Sequence, residues 1–377
     1  MPGSSDIHPA RLSDRIESLA AIDQLHQIAE RVPAYLVGGV VRDLLLGRQV
    51  ADLDVAVEGN VEALTELPGF SLEREGLFLT GRLEQGDVKV DVAQTRAESY
   101  PAPGALPEVR PATITQDLAR RDFTINAMAF LLDGNRELLD PHGGLPDLRA
   151  GLLRVLHQGS FVDDPTRALR AARYAARFGF ELEPETGRLL RDADLSTLSE
   201  DRIENELRRI AAEDDPAAAL RLLVEWGVMP SLDPAAPDRV AEVTRLVSAE
   251  PWSGWVDREL AVMLAIVRPL PQIRELVAAT PERPSEAARL AEPWDPAQLL
   301  VARALGAEWL ERYAGEWRHV NLEITGDDLL AEGIPEGPAV GRGLEAALSG
   351  KLDGEISGRH QELRIALAAA RGEIPED

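Results

Sequence analysis

Residues 36–57, LVGGVVRDLLLGRQVADLDVAV, hold the densest group of chemically capable side chains. An apolar run ends in Gly38-Gly39, a short helical stretch carries Arg42, and Asp52 and Asp54 follow two residues apart. Residues i and i+2 of a strand project from one face, so the two carboxylates stand close enough to share divalent cations. Gly38 and Gly39 let backbone N–H groups approach an anion, and Arg42, one turn in, is positioned to clamp a phosphate. In VKVDVA, Asp91 lies on the polar face with Lys89, and a sheet that sets this strand beside Asp52 and Asp54 makes it a third carboxylate. A DxD pair alone also describes a solvated strand face. With the glycines, Arg42 and Asp91 it reads as a phosphate cradle beside a metal site.

Farther along, a helix through 163–178 at 100° per residue gathers Asp163, Asp164, Arg167, Arg170 and Arg177 on one broad face, with Arg173 at its edge. An aspartate accepts from the exocyclic amine of cytosine or adenine while an arginine donates to ring acceptors. Asp164 with Arg167 is therefore suited to prefer C and A over U and G. A salt-bridged amphipathic surface is the other reading of this helix. The run Arg120-Arg121-Asp122 is by itself a solvated turn. Thiol chemistry is excluded, because the chain has no cysteine. His8, His26, His142, His157, His319 and His360 never pair at i, i+4 as on a zinc helix, and GxxxxGK[ST] and GxSxG motifs are absent.

The elements that must carry these groups follow from the apolar period. IESLAAIDQLHQIAERV predicts one amphipathic helix, AYLVGG a buried strand, VVRDLLLG a helix stopped by Gly47, and DLDVAV a strand with Leu53, Val55 and Val57 on one face. FLTGRL and VKVDVA flank Glu84-Gln85-Gly86-Asp87 as a hairpin. The proline-rich stretch Tyr100 to Pro111 reads as a loop, and TINAMAFLL fits helix or strand equally. Beyond about Asp140 strand signals fade into Ala, Leu, Arg and Glu at helical spacing, with breaks near Asp233-Pro234, Pro281 to Pro284 and Pro293 to Pro296. The expected domains are residues 12–140, 141–225, 226–320 and 321–377.

The length of 377 residues provides for two or three domains with real cores, and 45% hydrophobic with 28% charged residues is an ordinary globular composition. No run is long and apolar enough to span a membrane, and the first residues lack the basic-then-apolar order of a signal peptide. The expected location is the cytoplasm. A net charge of -25 argues against a polyanionic partner, but the acid is unevenly spread. Residues 1–180 carry 26 Asp+Glu against 19 Lys+Arg, and residues 181–377 carry 39 against 21, a net of -18. Lys89 and Lys351 are the sole lysines, so arginine, whose fork suits phosphate, supplies nearly all positive charge.

The Gly-Gly turn and DxD strand resemble the nucleotidyltransferase head of the DNA polymerase beta superfamily. DLARRDFTINAM (117–128), DPHGGLPDL (140–148), FVDDPTRALRAARYAARFGF (161–180) and SEDRIENELRRI (199–210) are similar, in order, to motifs of the class II tRNA nucleotidyltransferase and bacterial poly(A) polymerase family. The resemblance implies an α+β fold class: a polymerase-beta-like head followed by an all-helical neck, body and tail. It implies template-independent addition of all or part of the terminal CCA to tRNA from CTP and ATP. Asp52 and Asp54, with Asp91 assisting, would hold two Mg²⁺, one lowering the pKa of the RNA 3′-hydroxyl and one bridging the phosphates. It also implies Gly38, Gly39, Arg42 and Arg121 at the triphosphate, Asp122 at the ribose, Asn126 in support, and Asp164 and Arg167 at the base. Arg170 and Arg173 complete the nucleotide-binding set. The family's residue before the base-reading Asp holds the Arg; here it is Asp163 where the pattern usually has Glu.

Residues 99–110 occupy the position of the family's flexible loop. The helical second half would meet the acceptor and T-arm of tRNA, with Gly337 and Gly341 approaching RNA phosphate and Asp327 replacing a frequent Lys. No membrane or protein partner is implied. A poly(A) polymerase, a CC-adding or A-adding specialist, and a non-catalytic tRNA-binding protein are the alternatives.

Overall fold

The computed structural model describes residues 7–50, 52–75, 78–133, 136–267 and 271–373. Contacts divide the chain into two compact units, residues 1–214 with 218–230 and residues 215–217 with 231–377.

In the first unit the expected amphipathic helix is two, α1 (Ala10–Glu17) and α2 (Ile22–Ala29). The Ser18 hydroxyl donates back to the Arg15 carbonyl at 2.7 Å, competing with continuation, and each helix buries its own stripe, Leu12 and Ile16 or Leu25 and Ile28. Then come β1 (Ala34–Val37), α3 (Gly39–Leu45) and β2 (Leu53–Val57), as the apolar period requires. The edge strand β3 (Phe70–Glu75) has no counterpart in the sequence reading. The hairpin forms from β4 (Phe78–Gln85) and β5 (Val88–Gln94), closed at Gly86-Asp87 with Gly86 at φ 62°.

The expected loop after Ser99 contains structure: β6 (Arg96–Ser99) pairs antiparallel with β7 (Glu108–Pro111). After α4 (Ile114–Ala119), the ambiguous TINAMAFLL is neither one helix nor one strand. It is a 3₁₀ turn at Thr124–Asn126 and then β8 (Ala129–Leu131), which pairs with β9 (Leu138–Leu139). The seven-stranded sheet runs β3-β4-β5-β2-β1-β8-β9. Only β2 and β5 are parallel among these pairings, and their register sets Asp54 opposite Asp91. Leu53, Val55, Val57, Val90 and Val92 are buried while Asp52 and Asp54 are exposed, the alternation of a half-buried sheet.

The same unit continues with α5 (Gly144–Ala150), the parallel pair β10 (Leu152–Leu153) and β11 (Glu181–Leu182), α6 (Ser160–Asp163), α7 (Thr166–Phe178), α8 (Pro184–Leu189) and α9 (Glu200–Ala211). The expected helix through 163–178 is broken. Asp164 is extended (φ -136°, ψ 91°) because the residue before a proline is sterically barred from the helical region, and α7 starts only after Pro165.

The second unit is helical from Ala236–Val247 to Arg359–Ala370. Pro284 and Pro296 open helices there, the latter capped by Asp295, so these prolines are starts and not merely breaks. Ile324, Leu329, Ile334, Ala347 and Ala366 build a core near its C-terminus. Gly337 and Gly341 are exposed with open space beside them.

Candidate active site

Strand β2 presents Asp54, Asp52 lies in the bend just before it, and the parallel register with β5 adds Asp91 beside Asp54. Asp91 is met across the hairpin by Arg82, whose Nε donates to Oδ1 at 2.6 Å and Nη2 to Oδ2 at 3.3 Å. The Asp54 carboxyl is pushed above the ordinary aspartate value by desolvation, then by Asp91 and Asp52, against the pull of Arg121. Crowded carboxylates with oxygen-only donors fit a hard divalent cation, which would relieve their repulsion. Among the described residues no three His, Cys, Asp or Glu side chains are grouped so as to hold a metal ion. A cation on the Asp52–Asp54 pair would therefore keep positions for substrate oxygens.

The turn after β1 sits against this strand. Gly38 adopts φ 63°, ψ -121°, and a Cβ there would overlap the Arg121 guanidinium, so glycine is needed for both backbone and space. Arg42, expected as a phosphate clamp, lines an arginine-rich cavity with its guanidinium already engaged. It is 3% exposed, donates Nε and Nη2 to Asp43 at 2.9 Å each and Nη1 to Asn126 at 2.5 Å, and lies over the Phe178 and Tyr174 rings. Its weak hydration and planarity make it a buried strut between α3, the 3₁₀ turn and α7.

The 117–126 segment is organised by a carboxylate that the sequence reading passed over. Buried Asp117 accepts Arg120 Nε and Nη2 at 3.0 and 2.8 Å on Oδ1, and Arg121 Nη2 at 2.9 Å on Oδ2. Burial raises its pKa, but the two arginines outweigh that and hold it below the ordinary value. The i, i+3 and i+4 spacing was the available signal.

Asp122, expected near the ribose, lines the same cavity and is held by protein partners. Its Oδ1 accepts the Phe123 N–H at 2.8 Å and Asn126 Nδ2 at 2.9 Å, and its Oδ2 pairs with Arg170 at 2.6 Å. Burial opposes its charge, yet Arg170, Asn126 and Phe123 bring the carboxyl down to about 2. Arg170, assigned to the nucleotide on the same expectation, is thereby the ion partner of Asp122. It also donates to the Tyr174 hydroxyl at 3.3 Å.

Asp164 and Arg167 flank the α6–α7 break. Arg167 is held by main-chain acceptors, the Ser160 carbonyl at 3.2 Å and the Arg120 carbonyl at 2.8 Å, and not by Asp163, which faces His157 at 4.0 Å. Arg173 and Arg177 pair with Glu213, Arg173 at 3.4 Å. Arg202 of α9, inside the 199–210 motif but not among the expected site residues, reaches Asp164 at 2.8 Å.

These groups line two cavities of this unit. One of about 700 Å³ lies over β2, β4 and β5 and includes Asp54, Arg82 and Asp91. The other, about 490 Å³, includes Gly38, Gly39, Asn126, Asp164 and Arg167, and eight arginines face four carboxylates in it. Asp54, Arg96, Arg120 and Arg121 line both. Burial, then the neighbouring Arg120, lowers the Arg96 pKa, a sign of how crowded the positive charge is. In a chain of net charge -25, this local excess marks an anion site beside a carboxylate strand.

Known proteins resemble this chain in sequence and fold. Residues 34–154 match the poly A polymerase head domain family. A CC-adding tRNA nucleotidyltransferase of Deinococcus radiodurans is 36% identical over 357 residues, covering 90% of each chain. The chain belongs to the tRNA nucleotidyltransferase family. An A-adding tRNA nucleotidyltransferase of Geobacter sulfurreducens is 31% identical over 94% of this chain, which spans 47% of that relative's length. The solved structure of the Thermotoga maritima CCA-adding enzyme with tRNA_CCA aligns with a TM-score of 0.75 at 29% identity, covering 95% of this chain and 98% of that one. Nucleotidyltransferases of this family generally use a divalent metal. Among the described residues no helix is long and apolar enough to cross a membrane.

Proposed function

We propose that this protein adds C and A nucleotides, completing all or part of the 3′-terminal CCA, to tRNA from CTP and ATP without a nucleic-acid template. The reading is carried by the 490 Å³ cavity, rich in arginine, opening between the Asp54 strand and the Asp164–Arg167 pair. The RNA 3′-hydroxyl would attack the nucleotide's α-phosphorus, and pyrophosphate would leave. Divalent cations, Mg²⁺ in this reading, would be held by Asp52 and Asp54 with Asp91 assisting, and would supply activation of the hydroxyl and neutralisation of the phosphates.

Gly38, Gly39 and Arg121 bind the triphosphate. Arg42, Asp122, Asn126, Arg170 and Arg173 line the same cavity, complete the nucleotide-binding set and brace it through their mutual contacts, and Asp164 with Arg167 meets the base edge. Residues 12–140 serve as catalytic head and 141–225 as base-reading neck. The stretches 226–320 and 321–377 serve as body and tail contacting the acceptor and T-arm by shape. With tRNA as substrate, the protein works in the cytoplasm.

A second reading has an observation of its own. The long matches described above are a CC-adding and an A-adding enzyme, so partial addition by a specialist is the alternative. The test supplies the protein and Mg²⁺ with tRNA ending at the discriminator base, at C or at CC, plus labelled CTP, ATP or both, with an unrelated RNA as control. Stepwise growth that stops at CCA on tRNA alone identifies complete addition. A halt after CC, or action on the CC end only, identifies a specialist. Long adenosine tails on both RNAs, or no incorporation at all, overturn the reading.

A further inference from the structure

Strand register sets three side chains in one row across the sheet: Arg82 on β4 stands opposite Asp91 on β5, and Asp91 stands opposite Asp54 on β2. Residues directly opposite each other in a sheet project from the same face. Arg82 closes on Asp91 as a fork, Nε to Oδ1 at 2.6 Å and Nη2 to Oδ2 at 3.3 Å, so one guanidinium holds both oxygens of the third carboxylate. The two side chains are 51% and 45% exposed. An ion pair this open to water contributes little to stability and gives way to a stronger partner.

Arg82 has other carboxylates within its own surroundings. Glu84 follows two residues on along β4, on the same face, and Glu73 lies diagonal to Arg82 on β3, whose Ser71 is the direct partner. Both glutamates are exposed and line the 700 Å³ cavity together with Arg82, Asp54 and Asp91.

We propose that Arg82 is an internal competitor for the cation site: it holds Asp91 as a counter-ion until a divalent cation enters between Asp91 and Asp54, and then swings to Glu73 and Glu84 at the edge of the same cavity. The inference rests on the cation-holding role given to Asp52, Asp54 and Asp91 above. It adds a residue that sets the cation concentration at which the third carboxylate joins the site. The fork and a divalent cation need the same oxygen lone pairs of Asp91, so the two states exclude each other. Apparent cation affinity is then reduced by the fraction of molecules in which Asp91 is free. Until the cation arrives, the guanidinium offsets the charge of a carboxylate that faces Asp54, a repulsion the fold would otherwise carry.

The experiment measures Mn²⁺ binding to the full chain by electron paramagnetic resonance of the free ion, with melting temperature against cation concentration as a second readout. The proteins are wild type, R82Q, R82K, D91N, R82Q/D91N, K89Q and D54N. R82Q is expected to bind Mn²⁺ about tenfold more tightly than wild type. R82K should gain less than R82Q but measurably, because an ammonium is a point charge and not a two-donor fork. R82Q should add nothing in the D91N background. Lys89 lies on the same face two residues from Asp91 but pairs with Glu84 at 3.6 Å, so K89Q removes an equal charge without freeing Asp91 and should leave affinity within about twofold. Equal gains in K89Q and R82Q, or a gain from R82Q that persists beside D91N, would reduce the effect to general charge and overturn the proposal. Wild-type affinity in R82Q, with binding lost in D54N, overturns this inference alone. Unchanged binding in D54N overturns the cation site as well. If R82Q fails to fold, R82K decides: tighter binding than wild type supports the proposal, and wild-type affinity overturns it.

Discussion

At the scale of residues, the site balances like charges that chemistry needs against folding that would be easier without them. Asp54 is held above its ordinary pKa, so the folded state keeps a proton that the unfolded chain has released, and stability falls as pH rises from the ordinary aspartate range through the raised value. D54N is therefore expected to melt higher than wild type at pH 7 without metal, yet to lose incorporation by about 100-fold or more. Added Mg²⁺ should raise the melting temperature of wild type and leave D54N unmoved. Calorimetry with and without the cation checks both points, and a cation-stabilised D54N would reject the site.

Asp122 has the opposite sign. Its folded value of about 2 lies below that of the unfolded chain, so it contributes stability above the unfolded pKa, which is lost as pH falls toward 2. The pH-dependent part of that stability is roughly 2 kcal/mol near neutrality. The acid limb of a stability-versus-pH curve should flatten in D122N.

Among elements, the Asp122–Arg170 pair pins the 117–126 segment to α7, and Arg42 ties α3 to the same turn. Removing one member of a buried pair leaves an uncompensated charge, which costs about 3–5 kcal/mol. R170A is expected to destabilise by about that amount, and R170Q/D122N to recover much of it. Urea unfolding of the double-mutant cycle measures the coupling, and additive losses would show the two elements to be independently stable.

Much at this scale was legible beforehand. Gly38-Gly39 after an apolar run, alternation through Leu53, Val55 and Val57, and Gly86 in a hairpin each encode local geometry. The register that closes the hairpin at Gly86-Asp87 also implies Arg82 opposite Asp91, a pairing open to anyone who counts back from the turn. The helix through 163–178 failed as an expectation because angular arithmetic was carried across Pro165, where local sterics override period.

For the molecule as a whole, charge is divided by place. The cavity proposed for the nucleotide carries eight arginines against four carboxylates, whereas residues 181–377 have a net charge of -18. An acidic surface should repel RNA that lacks the complementary shape. Replacing the exposed Glu332, Glu336 and Glu345 by Gln is expected to strengthen binding of an unrelated RNA more than binding of tRNA, with the gap widest at low salt. Filter binding across a salt series checks this, and equal gains for both RNAs would dismiss the idea.

The amino-acid sequence by itself determined the family, the α+β class and which side chains carry chemical capacity, because motif order, apolar period and glycine placement are local properties. Tertiary structure alone decided who holds whom. Arg42, Asp122 and Arg170, expected at the substrate, line the cavity already engaged as partners of Asp43, Asn126 and each other. Arg202, within the 199–210 motif but with no partner readable from it, comes to Asp164 from 38 residues away. The reason is physical: a buried charge must find its counter-ion, and which one is in reach depends on packing between segments that no local pattern records.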